Sequence, residues 1–181
     1  GSPGPGIHSS SGGSLQGTDW NLHNNSEQGL YIDSATVVVD GLTSSDNGFS
    51  AAHVFDARYV TFSNVSSTND GSLGSNAMDQ AGLSYQKSND LETASGDVAC
   101  MSCHVEAPQG HGVYVIDSVD LWLDNLSIAD IDPTLPAMFV DNDNGGLNLG
   151  TQGGRFNLMN ANIDHESLTQ PALYIEQAAG N

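Results

Sequence analysis

Val60-Thr61-Phe62-Ser63-Asn64-Val65 and Leu121-Trp122-Leu123-Asp124-Asn125-Leu126 read alike: apolar, any, apolar, any, Asn, apolar. A period of two marks a strand with one buried face, because a helix would repeat its apolar residues at three and four. Val37, Val39 and Leu42 carry the pattern one unit earlier, with Gly41 in place of the Asn, and Phe156, Leu158 and Asn160 carry it later. Ahead of these segments stand acidic anchors, each after an apolar residue: Ile32-Asp33, Phe55-Asp56, Ile116-Asp117, Val140-Asp141 and Ile175-Glu176. Asp33 to Asp56 and Asp117 to Asp141 are each roughly 23–24 residues, a length suited to one unit of a repeat architecture.

The gap from Asn64 to Asp117 is too long for one unit, so roughly 38 extra residues, within about 68–110, are expected to loop out, carrying both cysteines. Gly1 to Gly17 is Gly-, Ser- and Pro-rich, with Ile7 and Leu15 its sizeable apolar residues, and reads as a flexible arm before a β domain over 18–181. Trp20, Leu22 and Asn24 match the second half of a unit, and Leu173-Tyr174-Ile175-Glu176 match the first half. Two complementary half-units lead to the expectation of copies stacking head to tail as a homopolymer; the alternative is an arm that folds back as a cap.

Short strands, polar turns and an Asn recurring at one corner (Asn64, Asn125, Asn160, with Gly41 departing) resemble the right-handed parallel β-helix of the pectin-lyase-like families. The resemblance implies an all-β solenoid of about five rungs. It also implies an internal ladder of Asn amides that satisfies the backbone at the corner. The competing architecture is a β-sandwich with chance spacing. Such families include polysaccharide lyases and galacturonases, whose chemistry needs basic residues. Arg58, Lys87 and Arg155 are the entire supply, and Gly110-His111-Gly112 copies a galacturonase signature without its companion motifs. Carboxylate pairs suited to a glycosidase abound in the turns and single out no site. No enzyme is expected.

Charge narrows the partners. Three Lys and Arg face 22 Asp and Glu, for a net charge of −19. Phosphate backbones and anionic membrane surfaces find no cation cluster here. No apolar run is long enough to span a membrane, and nothing at the first residues resembles a signal segment, so no membrane insertion is expected. Few Lys with many Asp, Asn, Ser and Thr suit an exported, extracellular or surface protein.

Cys100-Met101-Ser102-Cys103-His104 resembles the c-type haem attachment site. The resemblance implies thioether links from Cys100 and Cys103 to one covalent haem c, with His104 as proximal iron ligand. His111 is the candidate distal ligand, and seven extended residues span up to about 24 Å, enough to round a haem edge. His53, Met138, Met159 and His8 are alternatives. An electron carrier with a redox partner is then the expected role. A Cys100–Cys103 disulfide, a redox pair, or a zinc site with His104 and His111 compete with this reading. Asp141 and Asp143 begin a segment that partly imitates a calcium loop, but Gly145 and Gln152 stand where ligands belong. His23 and His165 are expected to face solvent. Tyr31, Tyr59, Tyr114, Trp122 and Tyr174 belong to the strand pattern, where an outward column could bind sugar. The function expected is a haem-bearing subunit of an extracellular filament. The alternative is a purely structural or adhesive fibre protein with a disulfide and no haem.

Overall fold

A computed structural model describes residues 2–10, 13–33, 36–55, 59–86, 97–116, 120–141 and 156–176. Short strands lead to long ones along the chain. β1 (Ile7–Ser9) leads to β2 (Ser14–His23), β3 (Leu30–Asp33) to β4 (Thr36–Ser45), and β5 (Ala52–Phe55) to β6 (Tyr59–Thr68). A single-turn helix, α1 (Ala77–Gln80), precedes β7 (Leu83–Gln86), which leads to β8 (Asp97–Glu106). β9 (Val113–Ile116) leads to β10 (Asp120–Ala129), β11 (Met138–Asp141) to β12 (Phe156–Met159) and β13 (Asn162–Ile163), and β14 (Leu173–Glu176) comes last.

The chain alternates between two parallel sheets. The first has the order β1-β3-β5-β7-β9-β11-β14, the second β12-β10-β8-β6-β4-β2, with β13 also on β10. Both send alternate residues into one shared core, including Leu30, Ile32, Val54, Leu83 and Met138 from the first sheet and Val39, Phe62, Leu123 and Ile128 from the second. Val37, Val60, Val98 and Leu121 lie in one column, as do Val39, Phe62, Cys100 and Leu123. The period-two reading of the long strands and their mutual register therefore agree with the structure.

Four expectations change. The excursion over 68–110 instead contributes two strands to the sheets, β7 and β8. β7 and β8 carry the same alternation as their neighbours, and the two cysteines occupy apolar positions that polar expectations hid. The arm over 1–17 holds β1 and the start of β2, with Ile7 beside Leu30 and Leu15 beside Val37. Because β2 begins inside that arm, Trp20 stands beside Leu42 and not beside Val37, where the second-half pattern placed it; its ring fills the space over Gly17, where an added Cβ would lie 1.9 Å from the indole. The acidic anchors share a column only in part: Asp141 pairs with Glu176 as expected, but the others are displaced. Asp33 pairs with Phe55, and Asp141 with Ile116, one residue away from the expected Asp56 and Asp117. Those two acids lie outside the described residues, and the inward pairs such as Leu30/Ile32 and Ala52/Val54 set the register because they pack in the shared core.

The fourth concerns the Asn corner. Asn64, Asn125 and Asn160 are exposed, with φ of 55°, 55° and 50°. The column continues through Asp19, Gly41 and Ser102, at φ of 54°, 80° and 58°. A left-handed residue bends each long strand at mid-length, and Asn, Asp and Gly tolerate that conformation best. The recurring Asn is thus a backbone requirement. Its side chains bond outside the core, Asn64 Nδ2 donating to Asp40 Oδ1 at 2.7 Å and Asn160 Nδ2 to Asp124 Oδ1 at 2.8 Å.

Candidate functional site

The bend explains the spacing of the cysteines. In an unbroken strand residues i and i+3 face opposite ways, but a left-handed residue between them returns both to the same side. Val39/Leu42, Phe62/Val65 and Leu123/Leu126 all use this spacing, and Cys100/Cys103 stands in register with them. Ser102 is the bend residue of β8. Both cysteines are buried, at 0% and 1% exposure, and are joined as a disulfide with Cα atoms 6.1 Å apart.

His104 points the other way. It stands beside Ser66 and Ser127 on the outer face, with Nε2 3.6 Å from Glu106 Oε2. A haem joined to both thiols needs its edge beside the sulfurs and its iron beside the imidazole. Here a sheet separates the two groups, and the sulfurs are enclosed by the core. These residues do not fit haem c. His111, the candidate distal ligand, lies on the outer side of the first sheet, against Tyr114 and Phe139. Its Nδ1 donates to the Pro136 carbonyl at 2.6 Å, and burial depresses its pKa against the opposing effect of that bond.

The remaining candidates are also dispersed. Met138 is in the core, Met159 is exposed on β12, and His8 packs edge-on against Tyr31. His53 is buried, stacks on Tyr31 with ring centroids 5.3 Å apart, and shares a 2.8 Å hydrogen bond between Nδ1 and Ser84 Oγ. Burial pushes its pKa down to about 4. Asp141 closes β11 and Asp143 lies outside the described residues. Among the described residues no group of three or more His, Cys, Asp or Glu is disposed to hold a metal ion.

One construction was not anticipated, a buried polar ladder just past the long strands. The Asn25 backbone N–H and Nδ2 donate to Asn47 Oδ1 at 3.0 and 2.8 Å, and the corresponding groups of Asn47 donate to Asp70 Oδ1 at 3.0 and 2.8 Å. Ser67 Oγ donates to Asp70 Oδ2 at 2.8 Å. Burial raises the Asp70 pKa, and these hydrogen bonds work against it. The in-phase pairs Asn24-Asn25, Asp46-Asn47 and Asn69-Asp70 were the available signal: the first of each takes a left-handed φ and the second turns inward. The outward aromatic column that the strand pattern anticipated forms on the first sheet, where it takes in Tyr114 and Tyr174 of the five residues named. Tyr114, Phe139 and Tyr174 stack with centroids 5.1 and 5.3 Å apart, their planes within 13° and 17°. Stacked this way the rings spend their faces on one another, so the column stiffens the sheet more readily than it grips a sugar.

Chemically, the described residues bring together a sealed disulfide, a satisfied polar ladder and ring stacks, all of which hold strands in register. Comparison with protein-family models, with curated proteins and with solved structures found no match.

Proposed function

We propose that this chain is an exported β-solenoid, of the right-handed type that the sequence resembles, with a structural and adhesive role, and that Cys100–Cys103 staples its core. The observation that carries the reading is the position of the two cysteines, inward and in column with Phe62/Val65 and Leu123/Leu126. A disulfide suits an oxidising, extracellular setting. Head-to-tail stacking belongs to the same proposal. Among the described residues β1 and β2 at one end, and β12 to β14 at the other, pair on one side only, so each end offers strand edges to a further rung from the same polypeptide or from a second copy.

Intact-mass analysis of the exported protein tests the core of the proposal. The expected species is two hydrogens lighter than the reduced chain, takes up thiol-alkylating reagent only after denaturation and reduction, and has no Soret absorbance when denatured. A covalent haem adduct with a Soret band under the same conditions would restore the electron-transfer filament in its place. Electron microscopy tests assembly separately, with ordered filaments expected and only isolated particles at high concentration counting against stacking.

A further inference from the structure

The outer face of the second sheet, ahead of the bend, carries apolar side chains where a solvated face would carry polar ones. Trp122 is 47% exposed, Tyr59 58%, Met101 42% and Met159 39%. They lie close together. Trp122 on β10 has only Ala99 and Asn157 beside it on the flanking strands, so neither neighbour shields the indole. Met101 and Met159 stand on those same strands, both opposite Asp124. Tyr59 is two strands away, on β6. With strands ~4.8 Å apart and ~3.3 Å of rise per residue, its Cα lies about 12 Å from that of Trp122, close to the length of a disaccharide. Among the described residues neither Trp122 nor Tyr59 has a hydrogen-bond partner, which leaves an indole N–H and a phenol to bond outward.

From this face we infer a binding surface for a neutral polysaccharide; the inference rests on the adhesive reading and names what is adhered to. Sugar rings present C–H faces that pack on exposed aromatic rings, while their hydroxyls bond to carboxylates and amides. Asn157 stands beside Trp122 on the next strand and Asp124 follows two residues along the same face, and they supply those groups. The net charge of −19 selects among possible occupants. A polyuronate, a sulfated glycan or an anionic lipid surface meets repulsion, and so does a second copy of the chain laid face to face. A neutral chain meets none, and a flat sheet surface suits an extended polymer.

Native affinity electrophoresis tests this, with hydroxyethyl cellulose or galactomannan cast in the gel and polygalacturonate as the anionic control. The whole chain is expected to be retarded by at least one of the neutral polymers and not by polygalacturonate. Trp122→Ala should weaken retardation at least tenfold, Tyr59→Ala less, and Trp122→Phe should recover part of it, with circular dichroism and the thermal midpoint unchanged in each. No retardation by either neutral polymer overturns the inference. So does retardation that survives Trp122→Ala, or Trp122-dependent dimerisation in sedimentation without glycan binding. A chain that is oxidised and haem-free by mass yet binds no glycan leaves the scaffold reading in place and removes this one alone.

Discussion

At the residue scale, backbone conformation explains more of the composition than chemistry does. Gly41 has φ of 80°, and an added Cβ would meet Asp19 Oδ1 at 2.8 Å. Gly41→Ala should therefore cost about 1–2 kcal/mol in urea unfolding, whereas Asn125→Gly, at a left-handed position with an exposed side chain, should be close to neutral. Asp70 offers a second case. Its folded pKa is raised, so stability falls as pH rises above the usual carboxylate range, and Asp70→Asn should flatten that dependence and raise the urea midpoint at pH 7. Asp70→Ala should instead lose about 1–3 kcal/mol by stranding the Asn47 donors and the Ser67 hydroxyl. His53 works in the opposite sense. Its folded pKa lies near 4 against an ordinary 6.5, so its neutral form is fully compatible with the fold above pH 6.5 and stability drains away as pH falls toward 4. The difference between wild type and His53→Gln in unfolding free energy, read from urea titrations, should narrow across that window by up to about 3 kcal/mol.

At the element scale, β8 shows how one sequence motif can serve two readings. C-x-x-C-H read as chemistry implies haem; read as a bent strand it is two inward residues, a left-handed Ser102 and an outward His104. The alternation of Val98, Cys100, Cys103 and Val105 was legible, but Cys is apolar in packing and reactive in chemistry, and only its neighbours decide which property operates. Replacing both cysteines by alanine should leave the strand content by circular dichroism intact and lower stability by about 2 kcal/mol, since closing so short a loop constrains the unfolded chain little. Phe62→Ala, in the same column, should cost more, about 3–5 kcal/mol, because it empties the core between Val39 and Cys100. The acidic anchors misled for a related reason. An acid at a strand end is free to sit one residue inside or outside the turn, so it marks a boundary without fixing a register.

At the scale of the whole molecule, one ion pair among the described residues, His104–Glu106, stands against a net charge of −19. The fold is held by core columns and ladders against its own repulsion. Raising sodium chloride from low to physiological ionic strength should raise the thermal midpoint, as screening shortens the reach of that repulsion to about 8 Å. A midpoint unchanged by salt would mean that the charges are neutralised locally by bound cations. Parallel strands that meet only after a return through the opposite sheet also make most contacts distant in sequence, so refolding is expected to be slow beside that of a helical domain of equal length, as stopped-flow kinetics would read.

Period-two alternation and the recurrence of Asn at one place determined, from the sequence alone, that the long strands are built alike with one buried face; that they stack in phase and in parallel, and not as a sandwich, is what their register shows. The half-pattern at Leu173–Glu176 coincides with β14, whereas at the other end Ile7 and Leu15 were too sparse among glycines to declare β1 and the start of β2, which exist because a neighbouring strand already offers its edge. Tertiary structure alone decided that the Asn corner faces solvent, that Asn25, Asn47 and Asp70 form the buried ladder, and that Cys100 and Cys103 lie in the core with His104 on the far side of the sheet. Sidedness after a left-handed residue cannot be counted along a chain until that residue's φ is known, and there the spacing of letters and the direction of side chains part company.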